Sequence, residues 1–243
     1  MRIRVAIAFG FLSIGAMGQV MTAIAANGGV VDLINQPFSC DAITTLVRTL
    51  PDGTHIARQT MTVKMYRDSE GRTRSDRIPG KFFAGQPAPP GTILIRDPIA
   101  GYWYELDTAN KVARRGNYKS VQSGQPMIPP KEPTTVPSPV ANSSGPQVKT
   151  EDLGTQTMEG LIVEGRRTTV TTPAGSIGND RDIVNVSDIW SNKELRLMIL
   201  QVHSDPRSGE TTTKIENLSR TQPDPNLFQP PPDYMIVDAV KSR

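Results

Sequence analysis

Thr60-Met61-Thr62-Val63-Lys64-Met65-Tyr66 places Met61, Val63 and Met65 on one side of an extended chain and mainly polar groups on the other. That alternation is the period-2 signature of a half-buried strand. Ile93-Leu94-Ile95, Tyr102-Trp103-Tyr104-Glu105-Leu106 and Leu161-Ile162-Val163 are short apolar runs of the same kind. Turn signals separate them: Pro51-Asp52-Gly53, Asp68-Ser69-Glu70-Gly71, Asp97-Pro98-Ile99-Ala100-Gly101 and Asp205-Pro206-Arg207-Ser208-Gly209. Pro presets φ, Asp caps the turn through its side chain, and Gly accepts the positive φ that closes it. Leu195, Leu197 and Ile199 alternate like a strand and continue through His203 to the second Asp-Pro turn and a return strand, Thr211 to Ile215, so a hairpin is predicted. Helical signals are scarce; Ala26 to Pro37 leaves room for one short helix, and the prolines of Asp224 to Tyr234 predict an extended ending. The fold class is mainly β, an antiparallel sheet with few helices.

The 243 residues include a single cysteine, Cys40, and two histidines, His55 and His203. Those numbers exclude a Cys/His zinc or iron-sulfur site and a disulfide framework. Apolar residues at 37% and a formal charge of +3 argue against a wholly disordered chain and against a multi-span membrane protein. Basic and acidic side chains are interleaved, with no dense Lys/Arg cluster, so nucleic acid is not expected as a partner.

Residues 1–25 read as a secretory signal peptide: Arg2 and Arg4, an apolar stretch from Val5 to Gly18, and small residues ending Ala23-Ile24-Ala25-Ala26, with no acidic group. Cleavage after Ala25 fits the small-x-small rule, and Ala26 is the next candidate. An uncleaved anchor is the alternative reading, since no charge stands between Val5 and Val31. The expected location is the periplasm or the cell exterior. Residues 124–148 carry seven of the 21 prolines and no aromatic residue, a composition that reads as an extended or disordered strap. It separates residues 26–123 from 149–240, which are expected to form two parts of one β domain, because neither block alone holds many large apolar residues.

No constellation assigns catalytic residues, a metal or a cofactor. A nucleophilic hydrolase needs Ser or Cys beside a His base, and the nearest elbow-like match, Ala174-Gly175-Ser176-Ile177-Gly178, has Ala where the first Gly belongs. Cys40 lacks an adjacent basic group in sequence and reads as a buried, inert thiol. Asp180 and Asp182 lack the twelve-residue calcium-loop pattern. The aromatic residues read first as core; the functional alternative is that Phe83, Trp103 and Trp190 line an apolar ligand site. Because Tyr102, Trp103 and Tyr104 are consecutive, they must point to both faces of their strand.

The order of segments carries a resemblance: a leader, Pro37-Phe38-Ser39-x-Asp41, an Asp-Gly hairpin, Tyr66-Arg67-Asp68-x-x-Gly71-Arg72-x-Arg74, Ile95-x-Asp97-Pro98, and Pro223-Asp224-Pro225-x-Leu227-Phe228-x-x-Pro-x-Asp233-Tyr234. It resembles a group of uncharacterised exported bacterial proteins. More distantly it is similar to periplasmic lipoprotein-carrier (LolA-like) and sigma-regulator half-barrels. The resemblance implies a curved, half-barrel-like antiparallel sheet that binds acyl chains or lipoproteins without chemistry, and it carries over no cavity residues. The expected function is therefore an exported non-enzymatic protein holding a lipid or lipoprotein ligand, or an envelope protein partner. The rival reading is a structural or interaction module that works through its sheet edges or its Pro-rich strap, with no small-molecule ligand.

Overall fold

The computed structural model describes residues 34–81, 87–117 and 145–239. The strands are β1 (Phe38–Thr49), β2 (His55–Arg67), β3 (Thr73–Pro79), β4 (Thr92–Asp97), β5 (Tyr102–Asp107), β6 (Val112–Asn117), β7 (Gln147–Met158), β8 (Leu161–Thr172), β9 (Ile183–Asn192), β10 (Leu197–Asp205), β11 (Gly209–Ser219) and β12 (Met235–Asp238). They form one curved, open sheet in the order β12-β6-β5-β4-β3-β2-β1-β11-β10-β9-β8-β7. Every pairing is antiparallel except β12 on β6. Both sequence blocks thus share one sheet, joined where β1 pairs with β11. β6 and β7, consecutive strands of the chain, stand near opposite ends of it. Gln147 and Val148, at the end of the Pro-rich stretch, already belong to β7; residues 124–144 of that stretch, the leader and Phe83 lie outside the described residues.

The turn chemistry is as the sequence reads. Asp97 accepts from the N–H groups of Ile99 and Ala100, and Asp205 accepts from Arg207 N–H. Gly209 closes the second turn at φ +98°, and a Cβ there would strike the backbone at Val47 O. The ending departs from the extended expectation. Pro225–Phe228 forms a 3-10 turn because Asp224 accepts from Asn226 N–H at 2.9 Å and Pro225, which has no donor to lose, stands at its first position.

Four ladders carry a register shift: β1 with β11 near Asp41, β1 with β2 after Thr44, β10 with β9 between Met198 and Leu200, and β7 with β8 between Asp152 and Gly154. Each inserts a residue into one strand and raises the local twist, which is how a sheet is made to curve.

Directly opposed residues of an antiparallel pair project to the same side, so the register sorts side chains into two faces. Phe38, Cys40 and Ala42 of β1 share a face with Arg67, Met65 and Val63 of β2, and Ile215 joins them from β11. This Cys40 face carries the larger core cluster, which also includes Leu161, Val163, Trp190, Leu195, Leu197 and Ile199. On the other side, Tyr66 opposes Arg74, Arg74 opposes Ile95, and Ile95 opposes Tyr104. This Tyr66 face carries the second cluster, Ile95, Leu106, Ala113 and Phe228. The last segment of the chain closes it: Phe228 is fully buried, Leu227 and Tyr234 pack alongside, and Arg74 Nη1 donates to Leu227 O at 3.1 Å. An ion pair between Lys111 and Asp233 leads into β12.

Each tryptophan covers a glycine on the neighbouring strand. Trp103 opposes Gly116 and Trp190 opposes Gly165, and the indole occupies the space where a Cβ would stand. A methyl at Gly165 would lie 2.5 Å from the Trp190 ring. Trp190 is only 8% exposed and has little room to retreat. Gly165→Ala is therefore expected to cost about 1–3 kcal/mol, as overpacking does. Urea unfolding checks this, and a neutral substitution would show that the indole does not rest there.

Candidate ligand face

Arg67 occupies the next inward position after Met61, Val63 and Met65, so the strand's own alternation carries a guanidinium into the core. It is 4% exposed. Its Nε donates to Gln36 O at 2.8 Å and its Nη1 to Leu195 O at 3.1 Å, and its carbon lies 4.6 Å above the Phe38 ring centre. Nη2 is buried with no hydrogen-bond partner. No carboxylate is among the charges that act on it; burial, with Arg220 adding to it, pulls its pKa down to about 10, so the side chain stays cationic at neutral pH. The electrostatics are those of a buried cation held by two carbonyl dipoles and an aromatic face.

The same face continues across the first block. Arg67 opposes Thr73, Thr73 opposes Arg96, and Arg96 opposes Trp103. One row further in, Met65 opposes Ser75, Ser75 opposes Leu94, Leu94 opposes Glu105 and Glu105 opposes Arg114. In the third row Arg77 opposes Val63, and its Nε is buried with no partner. From β2 to β6 the Cys40 face therefore presents Arg67, Arg77, Arg96 and Arg114. Its acids there are Glu105 and Asp107, and Asp107 is engaged with its own turn through Ala109 and Asn110. The Tyr66 face is different: Arg74 is paired with Asp76 and Arg115 with Asp238.

Of the aromatic residues read from the sequence as a ligand site, Trp190 belongs to the large cluster. Trp103 stands half-buried on β5, at the far end of the Arg67 row, so the two indoles share no cluster. Phe83 lies outside the described residues. Tyr102 and Tyr104 turn to the opposite face from Trp103, as consecutive strand residues must. Sequence reading singled out neither Arg67 nor Arg77 as a site residue; the available signal was a basic residue continuing the inward Met61-Val63-Met65 alternation. Ser176 sits in an exposed turn, His55 opens β2 and hydrogen-bonds Thr49, and His203 lies on β10. Asp182 caps the turn before β9 by accepting from Ala174 N–H. Among the described residues no group of three or more His, Cys, Asp or Glu could hold a metal ion, and no helix is long and apolar enough to cross a membrane.

No known protein family matches the sequence, and no curated relative does. Solved structures with a similar chain course exist. An uncharacterised conserved protein from Thermus thermophilus is 9% identical at a TM-score of 0.39, over 92% of this chain and 99% of that one. MucB is 10% identical at 0.41 over 93% of this chain, which spans 66% of MucB. A LolA-superfamily protein from Nitrosomonas europaea is 8% identical at 0.29, over 86% of this chain and 96% of that one. At such identities and TM-scores the likeness assigns no activity, and the functional reading has to come from the chain's own geometry.

Cys40 lies at the centre of this face, 4% exposed. Burial, reinforced by Asp41, pushes its thiol from 9.0 up to about 12. At about pH 8 the folded protein is expected to resist a thiol reagent that reacts at once after guanidinium unfolding. The raised value also has a linkage consequence: the stability tied to the protonated thiol is full below 9.0 and is lost as pH climbs towards 12. Fast labelling of the native protein would show that the face is open at Cys40.

Proposed function

We propose that the protein is an exported, non-enzymatic binding protein of the cell envelope, and that an apolar ligand or the acyl part of a lipidated partner lies against the Cys40 face. One observation carries the reading. The Tyr66 face is closed by the chain's own C-terminal segment, whereas the larger cluster on the Cys40 face is built from strand residues and Leu195 of the β9–β10 turn. Among the described residues no helix or tail contributes to it. The centre of that cluster is already dry, with Ala42, Val63 and Ile215 0–2% exposed, so a ligand meets its half-buried flank, Met61, Leu94 and Trp103. That flank supplies affinity by burial, at about 0.8 kcal/mol per methylene group removed from water. A twelve-carbon chain brings on the order of 9 kcal/mol before its ordering is subtracted.

The continuity of β1 with β11 supports a single β domain made from residues 26–123 and 149–240, with 124–148 as its insert. The leader composition supports export, with cleavage after Ala25 or Ala26. Trp190 serves this reading as part of the apolar floor. The outer edge of β7, which pairs only with β8 among the described strands, favours one second reading, a protein partner that adds a strand there.

Native mass spectrometry tests both. The protein should be expressed with its leader and purified without detergent. An added mass matching a lipid or lipopeptide is expected on the processed chain. Repeated preparations with a clean unliganded mass would contradict the carrier reading, and a retained protein mass would favour the edge-pairing one.

A further inference from the structure

The two ends of the sheet are finished differently. At one end the four-residue β12 is held down by the ion pairs of Lys111 with Asp233 and Arg115 with Asp238. At the other, β7 runs twelve residues and pairs with β8 and, among the described residues, with nothing beyond. From Gln147 to Asp152 its side chains are exposed or half-buried on both faces. Such an edge offers a row of backbone donors and acceptors to another strand. Its usable length is short. Pro146, which has no N–H, precedes it, and after Asp152 the bulge at Leu153, with Gly154 at φ +76°, bends the strand. Asp152 is engaged in that bend, its Oδ1 accepting from Gly154 N–H at 2.7 Å.

The charges across this end of the sheet alternate in sign. Asp188 on β9 opposes Arg167 on β8, and Arg167 opposes Glu151 on β7. Arg167 holds Asp188 in a two-pronged pair at 2.6 and 2.7 Å, and Lys149 reaches Glu151 along the strand at 2.9 Å. All four side chains share one face, because Lys149 and Glu151 are two residues apart. Opposite charges facing each other across a ladder stabilise it, and like charges destabilise it. A strand added to β7 therefore fits best with a cation opposite Glu151 and an anion opposite Lys149. β7 carries that pattern itself when read backwards. With a second copy set antiparallel about a two-fold axis at Thr150, Lys149 of each copy faces Glu151 of the other, and the alternating row continues across the junction. Neighbouring two-fold registers lack this match. An axis at Lys149, Glu151 or Asp152 opposes like charges, and one at Val148 draws Pro146 into the ladder, where it can donate nothing.

We infer that two copies of this chain associate through β7, antiparallel and centred on Thr150, with Lys149 and Glu151 forming reciprocal ion pairs. This rests on the edge-pairing reading of β7 above and names its partner; it asks nothing of a ligand on the Cys40 face. The contact is two-fold and closed, so it covers the edge without leading to fibres. A ladder of about six residues per copy is small beside a standard interface, so the dimer dissociates on dilution.

Sedimentation velocity from about 1 μM to about 1 mM reads the association. The protein is expected to form a concentration-dependent dimer that weakens as salt is raised. Lys149→Glu and Glu151→Lys each oppose like charges twice per dimer and should raise the dissociation constant at least about tenfold. An equimolar mixture of the two variants should restore association, because the two charges of one variant are then opposite to the two of the other. Loss of fold would not be repaired by mixing. Thr150→Cys should give a disulfide-linked dimer on mild oxidation, and Val148→Cys should not; Cys40, 4% exposed, does not compete. A dimer that survives both charge substitutions, variants that mixing fails to restore, or a cross-link at Val148→Cys instead of Thr150→Cys would overturn the inference. A monomer throughout, with no cross-link, would overturn it as well; a foreign protein retained in the native mass spectrum would then leave the edge-pairing reading standing, and none retained would end both.

Discussion

The sheet depends on β1. Its ladder to β2 ties it to β2–β6 and β12, and its ladder to β11 ties it to β7–β11. Both ladders contain a register shift, with the extra residue in β2 (Thr60) and in β11, so the sheet bends on either side of the strand that unites it. Without the β1–β11 pairing the two blocks would be separate ribbons, each with an unsatisfied edge and too little apolar area to bury. With it, Ala42 lies between Val63 and Ile215, all nearly free of solvent, and the larger cluster extends from β2 to β8.

A second constraint follows from alternation. A strand in the middle of a sheet sends successive residues to opposite faces, so one strand can feed two cores. β2 does this: Val63 and Met65 serve the Cys40 face, and Tyr66 serves the other. The two cores are closed by different means. The C-terminal segment, pinned by Arg74, by the guanidinium of Arg72 over the Phe228 ring and by β12, occupies the Tyr66 face and makes it structural. The Cys40 face is left to the strands, and Arg67 stands there among carbonyl groups and the Phe38 ring. A core that had only to be stable would not place a guanidinium at the position of Arg67, because an unpaired buried charge is costly.

Much of the fold was legible in the sequence, since its signals are local. The Met61-Val63-Met65 alternation, the two Asp-Pro turns and the hairpin about Asp205 are each settled by a few neighbouring residues and stand where the sequence places them, except that Leu195, read as strand, lies in the turn before β10. One domain from both blocks was expected from their apolar content, but the pairing of β1 with β11 that joins them was not legible, because these strands lie far apart in the chain and register is set by which faces bury. The 3-10 turn at Pro225 was missed because proline density was read as extension, when Asp224 and a first-position proline also start a turn. The site was less legible than the fold. Aromatic residues drew attention, yet each tryptophan first of all fills the space over a glycine, and the arginines that distinguish the face look in sequence like ordinary surface charge.

Photo-crosslinking with a diazirine-bearing fatty acid, followed by peptide mapping, tests most directly that the Cys40 face is the binding face. Label is expected on the half-buried residues of that face, among them Met61, Ser75, Leu94 and Trp103. Label on Leu106, Leu227 or Tyr234 would place the ligand on the opposite face and contradict the account.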